Sequence, residues 1–130
     1  VALHEYWKYL ASIAPHIVLA PMAPCRFNLS KSAIRVFDAW ALSAAVIASD
    51  WGEYGAKVEH GRTGYKVRPN EKWTSEIRDL VLDRDRRHFF AEAGRKQLET
   101  YWSWQQSYAG REQWKTAIKA ILAQAAARRF

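Results

Sequence analysis

The residues best suited to chemistry lie close together: Asn28, Ser30, Lys31 and Ser32 in a short polar stretch, followed by Ala33 and, further on, Asp38. The stretch leads into a pattern that predicts a helix over residues 31–43. A lysine, hydroxyls and free backbone N–H groups at the start of a helix favour an anion such as a phosphate, because the unpaired N–H groups and the helix dipole both present positive charge there. Asp38, ionised, only accepts hydrogen bonds. Each residue also has a plainer use. Lys31 can be a solvated side chain and Asp38 can pair with Arg35 at i,i+3. Ser30 and Ser32 can be helix N-caps, and Asn28 can close an Asx-turn. Other chemistries find less support. His4, His16, His60 and His88 lack metal-ligand spacing, so no metal site is expected, and no Ser-His-Asp set can be assembled. Gly52, Gly55, Gly61 and Gly64 form neither a GxGxxG fingerprint nor a P-loop and read as turn residues; Gly52 and Gly55 are also candidates for lining a pocket. Cys25 has no nucleophile context. Trp51, in a loop after an apolar run, is a candidate for stacking on a base or sugar.

The elements that must position these residues alternate. Leu3, Trp7, Leu10 and Ala14 recur at helical spacing, predicting an amphipathic helix over residues 2–13 that ends at Pro15. Residues 17–20 (Ile-Val-Leu-Ala) are a continuous apolar run, as in a buried parallel strand. The polar loop follows, through Pro21, Pro24 and on to Ser30. In the helix over 31–43, Ala33, Ile34, Phe37, Ala41 and Ala44 form the expected inward face, with Lys31, Arg35 and Asp38 on another. Residues 46–49 form a second strand, and Gly61 to Gly64 a turn into a third over 65–68. Everything after Asn70 reads as helix. Trp73, Ile77, Leu80 and Val81 line one stripe, a break falls at residues 83–85, and a second helix covers 86–101. Ser103 and Gln106 make a capping box for a last helix lined by Trp114, Ile118, Ile121, Leu122 and Ala125. The expected fold is α/β: a partial Rossmann-like, doubly wound parallel sheet of about three strands over residues 1–69, with a helical C-terminal part over 70–130. Three strands are few for such a sheet. A sheet edge or an apolar helix face is therefore expected to stay exposed, and self-association would cover it.

Bulk composition narrows the function classes. The chain has 130 residues, 49% hydrophobic and 25% charged, which is ordinary globular composition and excludes a disordered chain. It opens at Val1 on a helical pattern without an initiator methionine, so a piece excised from a longer protein is expected. Its apolar runs fall far short of the roughly 20 residues that span a bilayer, and no signal-peptide pattern opens it. One cysteine cannot form an internal disulfide, and a reducing cytoplasm is the natural setting. Twenty basic against 13 acidic residues give a formal charge of +7, which calls for an anionic partner or surface, or for a balancing acidic region in a longer parent.

In order and spacing the chain resembles the donor-binding half of GT-B glycosyltransferases, and more narrowly the retaining group 1 (family 4-like) enzymes of bacterial polysaccharide assembly. The resemblance rests on His16-Ile17-x-Leu19-Ala20-Pro21, on Phe27-Asn28-x-x-Lys31-Ser32-x-Ile34-Arg35-x-x-Asp38, and on Val46-Ile47-Ala48-Ser49. It continues through Tyr54, the segment from His60 to Val67, Trp73, Leu80-x-x-Asp83 and Arg86 or Arg87. In all it covers roughly residues 17–108. It implies a nucleoside-diphosphate sugar as substrate, no cofactor and no metal. Lys31, Ser32 and Ala33 would hold the diphosphate, and Asp38 the ribose hydroxyls. Where the family often has a glutamate touching the transferred sugar, this chain has Ser30, and Asn28 or Lys31 would substitute there. As the sugar departs, charge develops on the β-phosphate oxygen, and a lysine with oriented N–H groups stabilises it. The acceptor, a glycan or a lipid-linked one, would be held by an N-terminal domain outside this chain, together with any catalytic residue that domain supplies. No catalytic residue is assigned within the chain itself, and the chain alone is expected to be inactive. A cytoplasmic protein, peripheral at the inner membrane face, is the corresponding expectation. Two other classes compete: a basic nucleic-acid-binding module, disfavoured because the basic residues are spread rather than clustered, and a non-catalytic α/β interaction domain, with Ser30 marking lost activity. A nucleic-acid partner is not expected.

Overall fold

A computed structural model describes residues 5–102, together with Glu112 and Thr116. The elements run in the order α1 (Tyr6–Ile13), β1 (Ile17–Ala20), α2 (Arg26–Leu29), α3 (Ile34–Ala41), β2 (Ala45–Ser49), α4 (Gly52–Lys57), β3 (Tyr65–Val67), α5 (Thr74–Leu82) and α6 (Arg84–Gln97). A π-helical turn, Leu98–Trp102, follows. Two compact units result, Val1–Arg95 and Lys96–Phe130. The first residues of the expected 2–13 helix, and the expected last helix from Ser103 through Ala125, lie outside the described residues apart from Glu112 and Thr116.

In the first unit the three strands pair in parallel in the order β1-β2-β3, with Ile17 opposite Ala45 and Ile47 opposite Tyr65. Central β2 is buried along its whole length, which is why its sequence is a run of apolar residues rather than an alternation. Ala45 and Ile47 face a core completed by Tyr65, Val67, Leu80 of α5 and Phe90 of α6, with Ile17, Trp73 and Ile77 at its margin. Val46 and Ala48 point the other way. There α3 packs against β1 and β2, and Val58, at the end of α4, lies beside Val46 close to Gly64. Both faces of the sheet are thus covered by helices, as the α/β reading expects.

Several boundaries differ from the sequence expectation, each for a local reason. β1 is an outer strand among the described residues, so Leu19 is 48% exposed rather than buried. The polar loop contains a single helical turn, α2, that was expected to be irregular. α3 starts at Ile34 rather than Lys31, and the stripe it buries against the sheet is Ala33, Val36, Ala39 and Trp40, whereas Ile34 is exposed. Val81 falls off the α5 stripe and is also exposed. Asp83 leaves helical geometry, and its carboxylate accepts a hydrogen bond from the Arg86 N–H at 2.9 Å, so the break between α5 and α6 carries its own cap.

Candidate functional site

In a parallel α/β sheet the loops that leave the C-terminal ends of the strands are the ones free to hold a ligand. Here the loop after β1 runs over residues 21–33. Its entry is fixed by a buried hydrogen bond from the Met22 N–H to Ser49 Oγ, 2.8 Å, which ties the end of β1 to the end of β2. Asn28 is buried, and its side-chain amide donates to the Ala23 carbonyl at 2.8 Å, closing the loop on itself. The backbone of Asn28 and Leu29 passes under Gly52, whose left-handed φ of +54° and open Cα let the start of α4 approach. Ser30 Oγ donates to the Phe27 carbonyl at 2.8 Å. Lys31 is exposed, with Nζ 5.0 Å from the centre of the Phe27 ring.

The expected serine N-caps are not used. Ala33 occupies the N-cap of α3, with no side-chain cap. Its carbonyl accepts from Val36 and Phe37, while the N–H groups of Ser32, Ala33, Ile34 and Arg35 have no partner among the described residues. Four open donors at one helix start, with Lys31 just ahead of them, form a positive end that an anion can occupy. Lys31 and Asp38 do not share one helical face. Lys31 precedes the helix and is exposed, whereas Asp38 is 5% exposed on its buried side.

Asp38 gathers a neighbourhood that its sequence position does not reveal. The Tyr6 hydroxyl donates to Asp38 Oδ2 at 2.9 Å across 32 residues, and Oδ1 is buried with no partner among the described residues. That hydrogen bond, with burial and the Asp38 charge, raises the Tyr6 pKa above its ordinary 10.0, and Arg35 opposes the rise. Tyr54 of α4 is raised mainly by its own burial, with the Arg35 charge opposing and the Asp38 charge adding to it. Asp38 and Arg35 line a cavity of about 230 Å³ whose other walls, Leu10, Ile13, Ile17 and Leu42 among them, are largely apolar. Sequence reasoning missed Tyr6. A tyrosine in a first amphipathic helix carries no signal that it will meet a carboxylate one crossover later.

Trp51 caps α4 and is partly buried, with its indole N–H enclosed and without a partner among the described residues. Asp50 pairs with Lys66 at 3.2 Å. Gly55 packs so tightly against Asp50 that a Cβ there would lie 2.6 Å from Oδ1, which fixes this glycine as a packing residue.

The fold has counterparts among solved structures. Sucrose-phosphate synthase from Thermosynechococcus elongatus aligns over 93% of this chain with a TM-score of 0.68 and 21% identity. HepE from Anabaena, solved with UDP and with UDP-glucose, aligns over 86% with TM-scores of 0.58 and 0.57 and 17% identity. The C-terminal domain of LpcC, a group 1 family glycosyl transferase from Francisella tularensis, aligns over 64% with a TM-score of 0.54 and 22% identity. This chain has the fold of a glycosyltransferase C-terminal domain. It spans 29–41% of the length of those proteins' chains. No family profile matches the sequence, and no curated protein matches it significantly. Among the described residues no helix is long and apolar enough to cross a membrane.

Proposed function

We propose that this chain is the donor-binding part of a GT-B glycosyltransferase that transfers a sugar from a nucleoside-diphosphate donor to a glycan or lipid-linked acceptor. The observation that carries the reading is a pairing on one helix. α3 combines an uncapped N-terminus with a buried carboxylate oxygen, Asp38 Oδ1, that has no partner among the described residues. An enclosed acceptor left unpaired costs roughly 1–3 kcal/mol, and a hydroxyl from a bound ligand recovers it. In this reading Lys31 and the N–H groups of Ser32 and Ala33 hold the diphosphate and neutralise charge on the departing β-phosphate, with no metal required. Asp38 accepts from the ribose hydroxyls, oriented by Tyr6. Asn28 and Ser30 shape the side of the transferred sugar. The fold shared with HepE, which was solved holding UDP and UDP-glucose, supports the same class of donor.

The remaining parts of the proposal concern what lies outside the donor loop, and the chain's share of its neighbours' length, 29–41%, is compatible with them. The acceptor and any further catalytic groups belong to a separate N-terminal domain, residues 1–130 form part of the donor domain, and the chain alone is inactive. It works in the cytoplasm, against the inner membrane face, and self-association across the outer strand β1 covers the exposed Leu19. Calorimetry with UDP, GDP and their sugars tests the donor site. Removing one charge-assisted contact at a time, Lys31→Ala and Asp38→Ala should each weaken binding about tenfold or more. Binding unchanged in both variants, or absent both here and in a longer protein containing this chain, removes the donor-site reading. The non-catalytic interaction domain would then take its place, a role favoured by a Ser30 hydroxyl turned back onto its own turn.

A further inference from the structure

A second basic feature lies at the other end of the sheet. The turn into β1 (Pro15, His16) and the turn into β2 (Ser43) meet one stripe of α6: Arg84, Arg87, His88 and Ala91, at spacings of three, four and seven residues. Together they enclose a pocket of about 360 Å³, within the size range of small-molecule sites. These turns precede the strands, whereas the α3 loop follows them. A strand of four or five residues therefore separates the pocket from the donor loop by roughly 13–17 Å.

The composition of the pocket is one-sided. Two arginines, two histidines and a serine line it, and among the described residues no carboxylate does. Their neighbour on the same helix shows the usual alternative. Arg86 lies off this stripe and is paired with Asp79 at 3.0 Å and Asp83 at 3.4 Å. Arg84 makes no ion pair or side-chain hydrogen bond among the described residues, nor do the side chains of His16, Ser43 and His88. Arg87 is held in place by donating from Nη1 to the Leu80 and Val81 carbonyls, at 2.5 and 2.9 Å, which closes the end of α5. That leaves most of its five N–H donors free. Several positive or donor groups converging without a counter-charge repel one another, and an anion relieves the repulsion. A planar guanidinium fork matches the oxygens of a phosphate in particular.

We infer that the pocket between α6 and the turns into β1 and β2 is a second anion site. It takes a phosphoryl group, of a free phosphorylated metabolite or of an anionic lipid headgroup, and it is separate from the donor loop. Two arms distinguish the sources. In the first, inorganic phosphate is titrated into the protein at fixed ionic strength while the His16 and His88 ring resonances are followed by NMR, with chloride as control. In the second, the protein is floated with phosphatidylcholine vesicles containing or lacking phosphatidylglycerol. The expected result is saturable shifts of both histidines, weakened about tenfold by Arg84→Gln and left unchanged by Lys31→Ala. Arg87 also closes α5, so His88→Gln serves as the second variant and should weaken binding in the same direction. Saturation with free phosphate alone assigns a soluble ligand. Flotation that needs phosphatidylglycerol and is lost in Arg84→Gln assigns a headgroup. Chloride producing the same shifts, or Arg84→Gln and His88→Gln changing neither readout, overturns the inference. Because Lys31→Ala reports only on the donor loop, either site can fail without the other.

Discussion

Replacing Gly94 by alanine should destabilise the protein, although in an exposed helix the same change stabilises by about 1 kcal/mol. A Cβ on Gly94 would sit 2.2 Å from Trp40 Cδ1, 2.3 Å from Nε1 and 2.8 Å from Cγ, well inside van der Waals contact. Trp40 has nowhere to go. It is fully buried on α3, and its indole N–H donates to the Thr63 carbonyl at 3.1 Å. Thr63 is fully buried in turn, with its hydroxyl accepting from the Glu59 N–H at 2.9 Å. Overpacking of a closed core costs about 1–3 kcal/mol, and displacing the ring far enough to break its hydrogen bond adds about 1–3 kcal/mol. Set against the helix gain, the net loss lies between about 1 and 5 kcal/mol. Urea unfolding followed by tryptophan fluorescence and far-ultraviolet circular dichroism measures it. The midpoint should fall with the slope unchanged. Trp40→Leu, which opens space where the ring was, supplies the control: in that background Gly94→Ala should be neutral or stabilising, giving a large coupling in the double-mutant cycle. A Gly94→Ala protein as stable as the parent, or equal effects in both backgrounds, would refute the packing argument. Asp38 lies two residues before Trp40 on the same helix, α3.

Two further outcomes follow from the same core. Gly64→Ala should cost about 1–3 kcal/mol, since its Cβ would lie 2.5 Å from the Val46 carbonyl oxygen and 2.6 Å from Val46 Cγ1. Gly61→Ala meets open space and should cost only the left-handed backbone penalty, about 1–2 kcal/mol at φ +79°; paired urea midpoints in the order parent, Gly61→Ala, Gly64→Ala check this, and a reversed order of the two variants counts against it. Tyr6, Tyr54 and Tyr65 all have pKa values raised above 10.0, Tyr65 first by burial and then by donating to Asp79, with Arg86 opposing. The folded state therefore holds these protons more tightly than the unfolded chain. Their contribution to stability is complete below about pH 10 and is lost as the pH climbs through the folded-state values. Ultraviolet titration of tyrosinate should show late-ionising groups, and Tyr54→Phe should remove one of them; full ionisation at the free tyrosine value would contradict the burial argument.

The sequence by itself determined the alternation of elements and the position of the loop. Short apolar runs at residues 17–20 and 46–49 read as strands of a layered α/β sheet, although only the second is buried along its whole length and Leu19 of the first is exposed. The glycines at 61 and 64 mark the turn into β3 because their backbone positions suit few other residues. The polar stretch from Asn28 to Ser32 is legible as a ligand-side loop for the same local reason: it follows one such strand and precedes a helix. Details set by fractions of a turn were not legible. The one-turn α2 takes four residues, Arg26–Leu29, out of a loop whose polar and proline-flanked composition carries no helical period. α3 begins only at Ile34, and the face it turns to the sheet carries Trp40 while Ile34 stays exposed. The decisive meetings are all non-local. Tyr6 reaches Asp38 across 32 residues, Gly94 accommodates Trp40 across 54, and His16, Ser43 and Arg84 converge from three separate connections. Periodicity fixes which face a residue occupies on its own helix or strand. Only the parallel crossover topology, which returns each strand to the same end of the sheet, decides which faces confront one another.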